Sequence, residues 1–305
     1  MAETTTGVAT KELSLPKTIK QEVGDALSDA HVSLETVGKR ELRVARWRMD
    51  EPSEHAPVLF FNGIGANIEA VAPLAEALDD RPFIMFDMPG IGGSPDPVVP
   101  YNTVTMAWTA ARLLDRLGVD RVDVMGVSWG GAMAQHFAIQ HPGRTRRLIL
   151  AATSAGMLMV PGNPAALTKM ANPRRYIDAA FMQQHFETLY GGALGDSASG
   201  KVEHIRRLKA PSPRGYFYQL IAMLGWTSAP ALPFMRKDTL IMMGDDDQIV
   251  PLLNGKFLDL LMPNSELMVL EGGGHLFLLS HSDECVAAIR EFLDRPEHEE
   301  ERKAA

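Results

Sequence analysis

A serine flanked by glycines is the part of this sequence most suited to chemistry. The pentapeptide Gly126-Val127-Ser128-Trp129-Gly130 directly follows the apolar run 122–125 and opens a helix-like stretch. Glycines two residues before and after the serine remove the Cβ atoms that would clash at a sharp strand-to-helix turn. Such a turn exposes the serine hydroxyl above the sheet, with the N–H of Trp129 beside the position of a tetrahedral oxyanion. The pattern therefore favours acyl-transfer chemistry with Ser128 as nucleophile.

Two later segments supply the base and the carboxylate that such a serine needs. The strand-like run 239–243 ends in Gly244-Asp245-Asp246-Asp247, and the run 266–270 ends in Glu271-Gly272-Gly273-Gly274-His275. Serine, acid and histidine in this chain order, each after a strand, are typical of α/β-hydrolases. We predict His275 as the general base. Asp247 is its favoured partner because of the G-x-x-D spacing, and Asp246 is the alternative.

A second oxyanion donor is expected from the loop after an earlier strand. The apolar run 58–61 is such a strand, and Asn62-Gly63-Ile64-Gly65 follows it. Glycine on both sides of Ile64 lets the backbone approach a ligand closely. The sequence thus predicts that the N–H groups of Ile64 and Trp129 form an oxyanion hole. Asn62 stands where many related loops have histidine, but a main-chain donor does not depend on that side chain.

Alternating strand and helix patterns must position these residues. They predict an α/β fold, the α/β-hydrolase fold, with a mostly parallel central sheet, helices on both faces and a leading antiparallel hairpin. The predicted strands are residues 31–36, 42–49, 58–61, 83–86, 122–125, 148–152, 239–243 and 266–270. The predicted helices include residues 68–78, 103–117, 130–140 and 283–293.

The pattern divides the chain into four parts. We expect an N-terminal extension over 1–30, a hydrolase core over 31–153 and 238–295, a mainly helical cap over 154–237 and a charged tail over 296–305. The cap is rich in methionine and aromatic residues, which suit a pocket for an aliphatic chain. More than half of them are expected to form the cap's own core.

Composition limits the function further. The 305 residues carry a net charge of −8, which argues against a nucleic-acid partner. The single cysteine, Cys285, excludes an intramolecular disulfide and is expected to be buried. No apolar run approaches the length of a transmembrane helix and no signal peptide is evident, so we expect a cytoplasmic protein. No histidine and carboxylate spacing indicates a metal, and no organic cofactor is implied.

Several further motifs carry a specific resemblance. The chain resembles the intracellular medium-chain-length poly(3-hydroxyalkanoate) depolymerases over roughly residues 40–295, cap included. It departs from them with Gln248 where proline is expected and Gly273 where aspartate is expected. The motifs are 60–67 (FFNGIGAN), 86–94 (FDMPGIGGS), 126–131 (GVSWGG), 151–153 (AAT), 159–162 (MVPG), 173–176 (PRRY), 224–228 (LGWTS), 244–247 (GDDD) and 274–278 (GHLFL).

The resemblance implies hydrolysis of polyester ester bonds through an acyl-enzyme on Ser128, without metal or cofactor. It also implies a polyester granule as a possible partner, with the substrate's side chains packed against the cap. Within these motifs we expect five residues to contact substrate: Asn62, Gly63, Met159, Trp226 and Phe277.

Other functions remain open at this level. A general carboxylesterase or lactonase for small aliphatic esters is the nearest alternative, because capped hydrolases share the triad. A carbon–carbon bond hydrolase or a cofactor-free perhydrolase would also keep the serine. A ligand receptor or granule-binding protein with a vestigial triad would be a different class altogether. A haloalkane dehalogenase or epoxide hydrolase would instead have aspartate where Ser128 stands.

Overall fold

A single mixed sheet organises the protein. The computed structural model describes residues 27, 29–172, 174–192 and 198–296, apart from the side chains of 176, 177, 179 and 198–201. The sheet has eight strands in the order β1-β2-β4-β3-β5-β6-β7-β8. The strands are β1 Ala30–Val37, β2 Arg40–Trp47, β3 Val58–Phe61, β4 Phe83–Phe86, β5 Val122–Val127, β6 Thr145–Ala151, β7 Thr239–Gly244 and β8 Ser265–Leu270.

Strand direction confirms the predicted fold class. β1 and β2 form an antiparallel hairpin, and β2 pairs antiparallel with β4. From β4 onward all neighbouring strands are parallel. Parallel strands end at the same edge of a sheet, so the segments after β3, β5, β7 and β8 meet there. These are the segments that contain the predicted site residues.

Helices cover both faces of the sheet, as the alternating pattern predicted. Every residue of β3 and β4 is buried, which is typical of parallel strands with both faces covered. Alternate side chains of β3 enter two apolar clusters, with Leu59 in one and Phe60 in the other. The helices of the core are α1 Ile68–Ala77, α2 Thr103–Arg116, α3 Trp129–Gln140, α9 Leu253–Leu261, α10 Phe277–Ser280 and α11 Ser282–Asp294.

The interval between β6 and β7 carries the remaining α-helices that the structure describes. They are α4 Pro164–Met170, α5 Arg174–Ile177, α6 Ala179–Tyr190, α7 Ala198–Arg207 and α8 Pro213–Ala222. The division into core and cap stays a prediction. The predicted N-terminal extension, apart from its last residues, and nearly all of the charged tail lie outside the described residues, as does Pro173.

Two smaller expectations concern the rest of the chain. Cys285 is fully buried, as predicted, on α11. Among the described residues, no helix combines the length and apolarity needed to cross a lipid bilayer.

Candidate active site

Ser128 lies at the junction of β5 and α3 in a strained backbone conformation. Its φ of 55° and ψ of −121° are rare for a residue with a side chain. The turn is tight enough that a Cβ on Gly126 would lie 2.2 Å from the carbonyl oxygen of Gly130. A Cβ on Gly130 would lie 2.0 Å from that of Phe61. Both glycines are therefore required by close backbone packing around the serine.

Hydrogen bonds from neighbouring elements hold this turn in place. The N–H of Ser128 donates to the carbonyl of Ala151 at the end of β6, at 2.9 Å. The carbonyl of Ser128 accepts from the hydroxyl of Thr153 at 2.7 Å. Trp129 follows at the first position of α3, and its indole N–H donates to the carbonyl of Gln219 on α8 at 3.0 Å. Hydrogen bonds to the end of β6, to Thr153 and to α8 therefore hold the turn around Ser128 in place.

His275 and Asp247 come together at the end of β7 and β8. The Nδ1 atom of His275 lies 2.7 Å from Oδ2 of Asp247, and both side chains are buried. The other oxygen of Asp247 accepts the N–H groups of Ile249 and Val250 at 2.8 and 2.9 Å. A carboxylate held in this way fixes the orientation of the imidazole and favours the Nδ1–H tautomer.

The two neighbouring aspartates serve the surrounding loops instead. Asp245 accepts the N–H of Gly272 at 2.7 Å, and Asp246 accepts the N–H of Gly192 at 2.7 Å. Asp246, the alternative acid, thus ties the loop after β7 to the loop after α6. The structure places Asp247, and not Asp246, against His275.

The glycines before His275 allow a close approach by the segment after α6. A Cβ on Gly274 would lie 2.3 Å from the carbonyl oxygen of Tyr190, and one on Gly192 would lie 2.1 Å from the N atom of Gly274. The N–H of His275 also donates to the carbonyl of Tyr190 at 2.6 Å. The position of His275 therefore depends on the end of α6 as well as on the core.

The loop after β3 lies beside Ser128. A Cβ on Gly63 would lie 3.8 Å from the Cβ of Ser128. The N–H of Gly63 donates to Oδ1 of Asn62 at 2.8 Å, and the N–H of Gly65 donates to Oε1 of Gln219 at 2.8 Å. These two N–H groups are thus engaged within the protein. Ile64 lies between them on the loop, and its role as an oxyanion donor stays a prediction.

A cavity of about 90 Å³ brings most of these residues together. Its walls are mainly apolar, and they come from both the core and the interval between β6 and β7. Apolar walls of this kind suit the aliphatic part of a ligand, and the few polar groups suit a single polar, reactive group on it. The lining residues include Asn62, Gly63, Ile64, Ser128, Met170, Arg175, Tyr190, His204, Leu208, His275, Leu276 and Leu279.

Three of the predicted substrate contacts lie elsewhere than on the walls of this cavity. Phe277 is fully buried among the core residues on one face of the sheet. Trp226 donates its indole N–H to Nδ1 of His136 at 3.1 Å. Met159 is half-buried and packs against the large core cluster. These side chains pack or hydrogen-bond within the protein, and their role as substrate contacts stays a prediction.

Sequence reasoning missed His204, which lies on the cavity wall. No motif or spacing links His204 on α7 to Ser128, and only the packing of the helices brings it there. Two histidines elsewhere in the chain, His136 and His281, already have hydrogen-bond partners. Nε2 of His136 lies 3.1 Å from Oε1 of Gln140, and Nε2 of His281 lies 3.2 Å from the carbonyl oxygen of Glu271. Burial lowers the pKa of His136, which disfavours its protonated form.

One group of possible metal ligands occurs among the described residues. His55, Asp80 and Asp294 lie within reach of one another. Arg81 forms ion pairs with both carboxylates, at 2.6 Å to Asp80 and 3.0 Å to Asp294. The guanidinium thus already compensates their charge, and none of these residues lines the cavity.

Comparison with known proteins shows the family of this chain. The family model for the alpha/beta hydrolase fold matches residues 56–282. A poly(3-hydroxyalkanoate) depolymerase from Ectopseudomonas oleovorans is 44% identical over 240 residues, which cover 78% of this chain and 84% of the relative. A 2-hydroxymuconate semialdehyde hydrolase from Pseudomonas putida is 29% identical over 83% of this chain and 93% of its own.

Solved structures agree on the fold. An esterase from Exiguobacterium antarcticum superposes with a TM-score of 0.72 at 21% identity, covering 86% of this chain and 98% of that one. At this identity the likeness concerns the fold alone.

Proposed function

Because this chain belongs to the α/β-hydrolase family, and within it groups with the poly(3-hydroxyalkanoate) depolymerases, we propose that it hydrolyses medium-chain-length poly(3-hydroxyalkanoate) through an acyl-enzyme on Ser128. The observation that carries the proposal is the shared cavity. Ser128 and His275 both line it, and Asp247 holds the imidazole from behind. Its apolar walls match the alkyl side chains of such a polyester.

The first half of the reaction forms the acyl-enzyme. Nε2 of His275 takes the proton of Ser128 as the hydroxyl oxygen attacks the ester carbonyl carbon. Asp247 stabilises the imidazolium that results. The N–H groups of Ile64 and Trp129 donate to the developing oxyanion. The imidazolium then protonates the departing 3-hydroxy group, and the ester carbon–oxygen bond breaks.

The second half releases the acid. Water enters, His275 takes one of its protons, and the hydroxide attacks the acyl carbon. The proton returns to Ser128 as the second product leaves. Each turnover therefore consumes one water and yields one hydroxyl end and one carboxyl end.

We also propose that the protein acts in the cytoplasm, at the surface of polyester granules. Exposed apolar side chains on two neighbouring segments support this, and we call them the exposed apolar face: Met157, Leu158, Phe217, Leu220 and Leu224. Phe217 and Leu220 are three residues apart on α8 and so share one side of it. The N–H of Met157 donates to the carbonyl of Trp226, which brings the two segments together. Exposed apolar surface of this kind is typical of sites that bind an apolar partner.

The decisive experiment compares three substrates with purified protein. Amorphous poly(3-hydroxyoctanoate) granules, poly(3-hydroxybutyrate) granules and p-nitrophenyl octanoate are each incubated with the wild type and with Ser128→Ala. We expect release of 3-hydroxyoctanoate by the wild type alone, with poly(3-hydroxybutyrate) spared. If only the soluble ester, p-nitrophenyl octanoate, is hydrolysed, the protein is a general esterase and not a depolymerase. Full activity of Ser128→Ala would contradict the serine mechanism.

A further inference from the structure

A buried glutamine on α8 contacts both segments that carry the predicted oxyanion donors. Oε1 of Gln219 accepts the N–H of Gly65, in the loop after β3, at 2.8 Å. Its main-chain carbonyl accepts the indole N–H of Trp129, at the start of α3, at 3.0 Å. Gln219 is only 1% exposed. The segments after β3 and β5 are thus joined through one residue of a third segment.

The peptide group that carries the N–H of Ile64 is held on both sides. Its own carbonyl, that of Gly63, accepts the N–H of Ala66 at 3.2 Å. In a trans peptide the N–H points opposite to the carbonyl, so this bond sets the direction of the Ile64 N–H. The peptide before it is fixed by Oδ1 of Asn62, and the peptide after it by Oε1 of Gln219. The direction of the predicted donor therefore depends on these two side chains.

The helix that carries Gln219 is itself attached to the core. The N–H of Ser212, just before α8, donates to the carbonyl of Gly90 in the loop after β4, at 2.9 Å. A Cβ on Gly215 would lie 2.5 Å from the same carbonyl oxygen. Backbone contact this close fixes the first turn of α8 against the core, so Gln219 is presented from a fixed frame.

Gln219 uses only half of its amide group for this contact. Its Nε2 atom is buried and has no hydrogen-bond partner within the described part of the chain. A buried donor without a partner costs free energy, so this half of the amide does not stabilise the fold. Methionine has a similar length and volume but no such acceptor. Gln219→Met therefore removes the bond to Gly65 with little change in shape.

We propose that Gln219 is a positioning residue, which keeps the N–H groups of Ile64 and Trp129 directed at the same oxyanion. This inference rests on the proposed function. Gln219 is not among the residues that line the cavity, so it acts through the loop and the helix start and not on the substrate. Stabilisation of an oxyanion depends on preorganised donors. A small displacement of one donor lowers kcat more than it lowers substrate binding.

The test measures chemistry and oxyanion binding separately. The oxyanion probe is a trifluoromethyl ketone with an octyl chain, and octanamide is the ground-state ligand. The hydroxyl oxygen of Ser128 adds to the ketone carbon, its proton passes to His275, and the ketone oxygen becomes an oxyanion. With p-nitrophenyl octanoate as substrate, kcat of Gln219→Met should fall on the order of 10- to 100-fold, with KM within about twofold of the wild type. Affinity for the ketone should fall in parallel, and affinity for octanamide should not change.

The matched control is another buried amide that accepts a backbone N–H from a distant segment. Oδ1 of Asn254 on α9 accepts the N–H of Val160 at 2.7 Å, and neither residue lines the cavity. Asn254→Leu removes this bond, as Gln219→Met removes the bond to Gly65. The control should lower the melting temperature and keep kcat and the affinity for the ketone. Loss of a buried amide is thereby separated from loss of donor position.

Each result supports or overturns the inference. Unchanged kcat and ketone affinity in Gln219→Met would overturn it, and so would equal losses of affinity for the ketone and octanamide. If Gln219→Met does not fold, Gln219→Asn keeps the amide but shortens its reach, and it should show the same division between the two ligands. Wild-type values in Gln219→Asn would contradict the positioning role. Failure of the wild type to release 3-hydroxyoctanoate from granules would overturn the proposed function instead, while the soluble ester still tests Gln219.

Discussion

The imidazole of His275 and the carboxylate of Asp247 form a buried pair, with 2.7 Å between Nδ1 and Oδ2. The remaining carboxylate oxygen is held by two backbone N–H groups, so the carboxylate has little freedom to rotate. An amide in its place could keep the shape but would present an uncharged group to the imidazolium.

Asp247→Asn should therefore lower kcat on the order of 10³- to 10⁴-fold with little change in stability. Steady-state hydrolysis of p-nitrophenyl octanoate measures the loss, and thermal unfolding checks the fold. The matched control is Asp246→Asn, because Asp246 bonds the N–H of Gly192 and not the imidazole. A larger loss of kcat for the control than for Asp247→Asn would assign the acid to Asp246.

The side chain of Asn62 shapes the loop that carries the predicted oxyanion donor. Its Oδ1 accepts the N–H of Gly63 at 2.8 Å and its Nδ2 donates to the carbonyl of Asn67 at 2.9 Å. Asn62→Ala removes both bonds and loosens the position of Ile64. We expect kcat to fall by about 10- to 100-fold. Asn264→Ala, which removes a surface hydrogen bond, is the control. Unchanged kcat for Asn62→Ala would show that the loop is positioned without this side chain.

Close packing around the elbow makes Gly130 irreplaceable. A Cβ there would lie 2.0 Å from the carbonyl oxygen of Phe61 and 2.5 Å from that of Asn62, and both are backbone atoms of a buried segment. Gly130→Ala should lower the free energy of unfolding by about 3 kcal/mol or more, or prevent folding. Gly143→Ala is the control, because a Cβ added at Gly143 would meet no neighbouring atom within 4 Å. Equal melting temperatures for the two variants would contradict this packing.

Glu69 is a buried carboxylate that connects the core to the segment after α7. Burial opposes its ionisation, but hydrogen bonds from Arg43, Lys209 and Asn67 lower its pKa from 4.5 to about 2. Because the pKa of Glu69 is lower in the folded protein than in the unfolded chain, its ionised carboxylate stabilises the fold at pH values above about 4.5. This stabilisation is lost as pH falls from about 4.5 towards 2. Glu69→Gln should therefore be less stable than the wild type at pH 7, on the order of 2 kcal/mol.

The difference in unfolding free energy between the wild type and Glu69→Gln should shrink as pH is lowered below about 4.5. Urea unfolding at a series of pH values measures it. Glu266→Gln removes an exposed ion pair to Arg295 and should change stability little at any pH. A difference for Glu69→Gln that stays constant with pH would mean that its ionisation does not contribute to stability.

The parts of the site that follow strand ends were predictable from sequence, and the parts that depend on helix packing were not. Asp247 and His275 follow adjacent parallel strands, so their contact is a consequence of topology. Phe277 lies two residues beyond His275, yet it faces the core because a short helix turns it there. His204 reaches the cavity through the packing of α7, which leaves no local pattern in the sequence. The catalytic roles themselves stay predictions.

The exposed apolar face gives a prediction that separates binding of granules from chemistry. Leu224 is 84% exposed and is not among the residues lining the cavity. Leu224→Asp places a charge on that face, and a charge is costly to bring against an apolar polymer. We expect weaker sedimentation with poly(3-hydroxyoctanoate) granules and slower release of 3-hydroxyoctanoate, with unchanged kcat/KM for p-nitrophenyl octanoate. The control is Leu260→Asp on α9, where the side chain is 80% exposed but lies outside the defined face. If both variants bind granules as the wild type does, then the protein reaches the polymer through another surface.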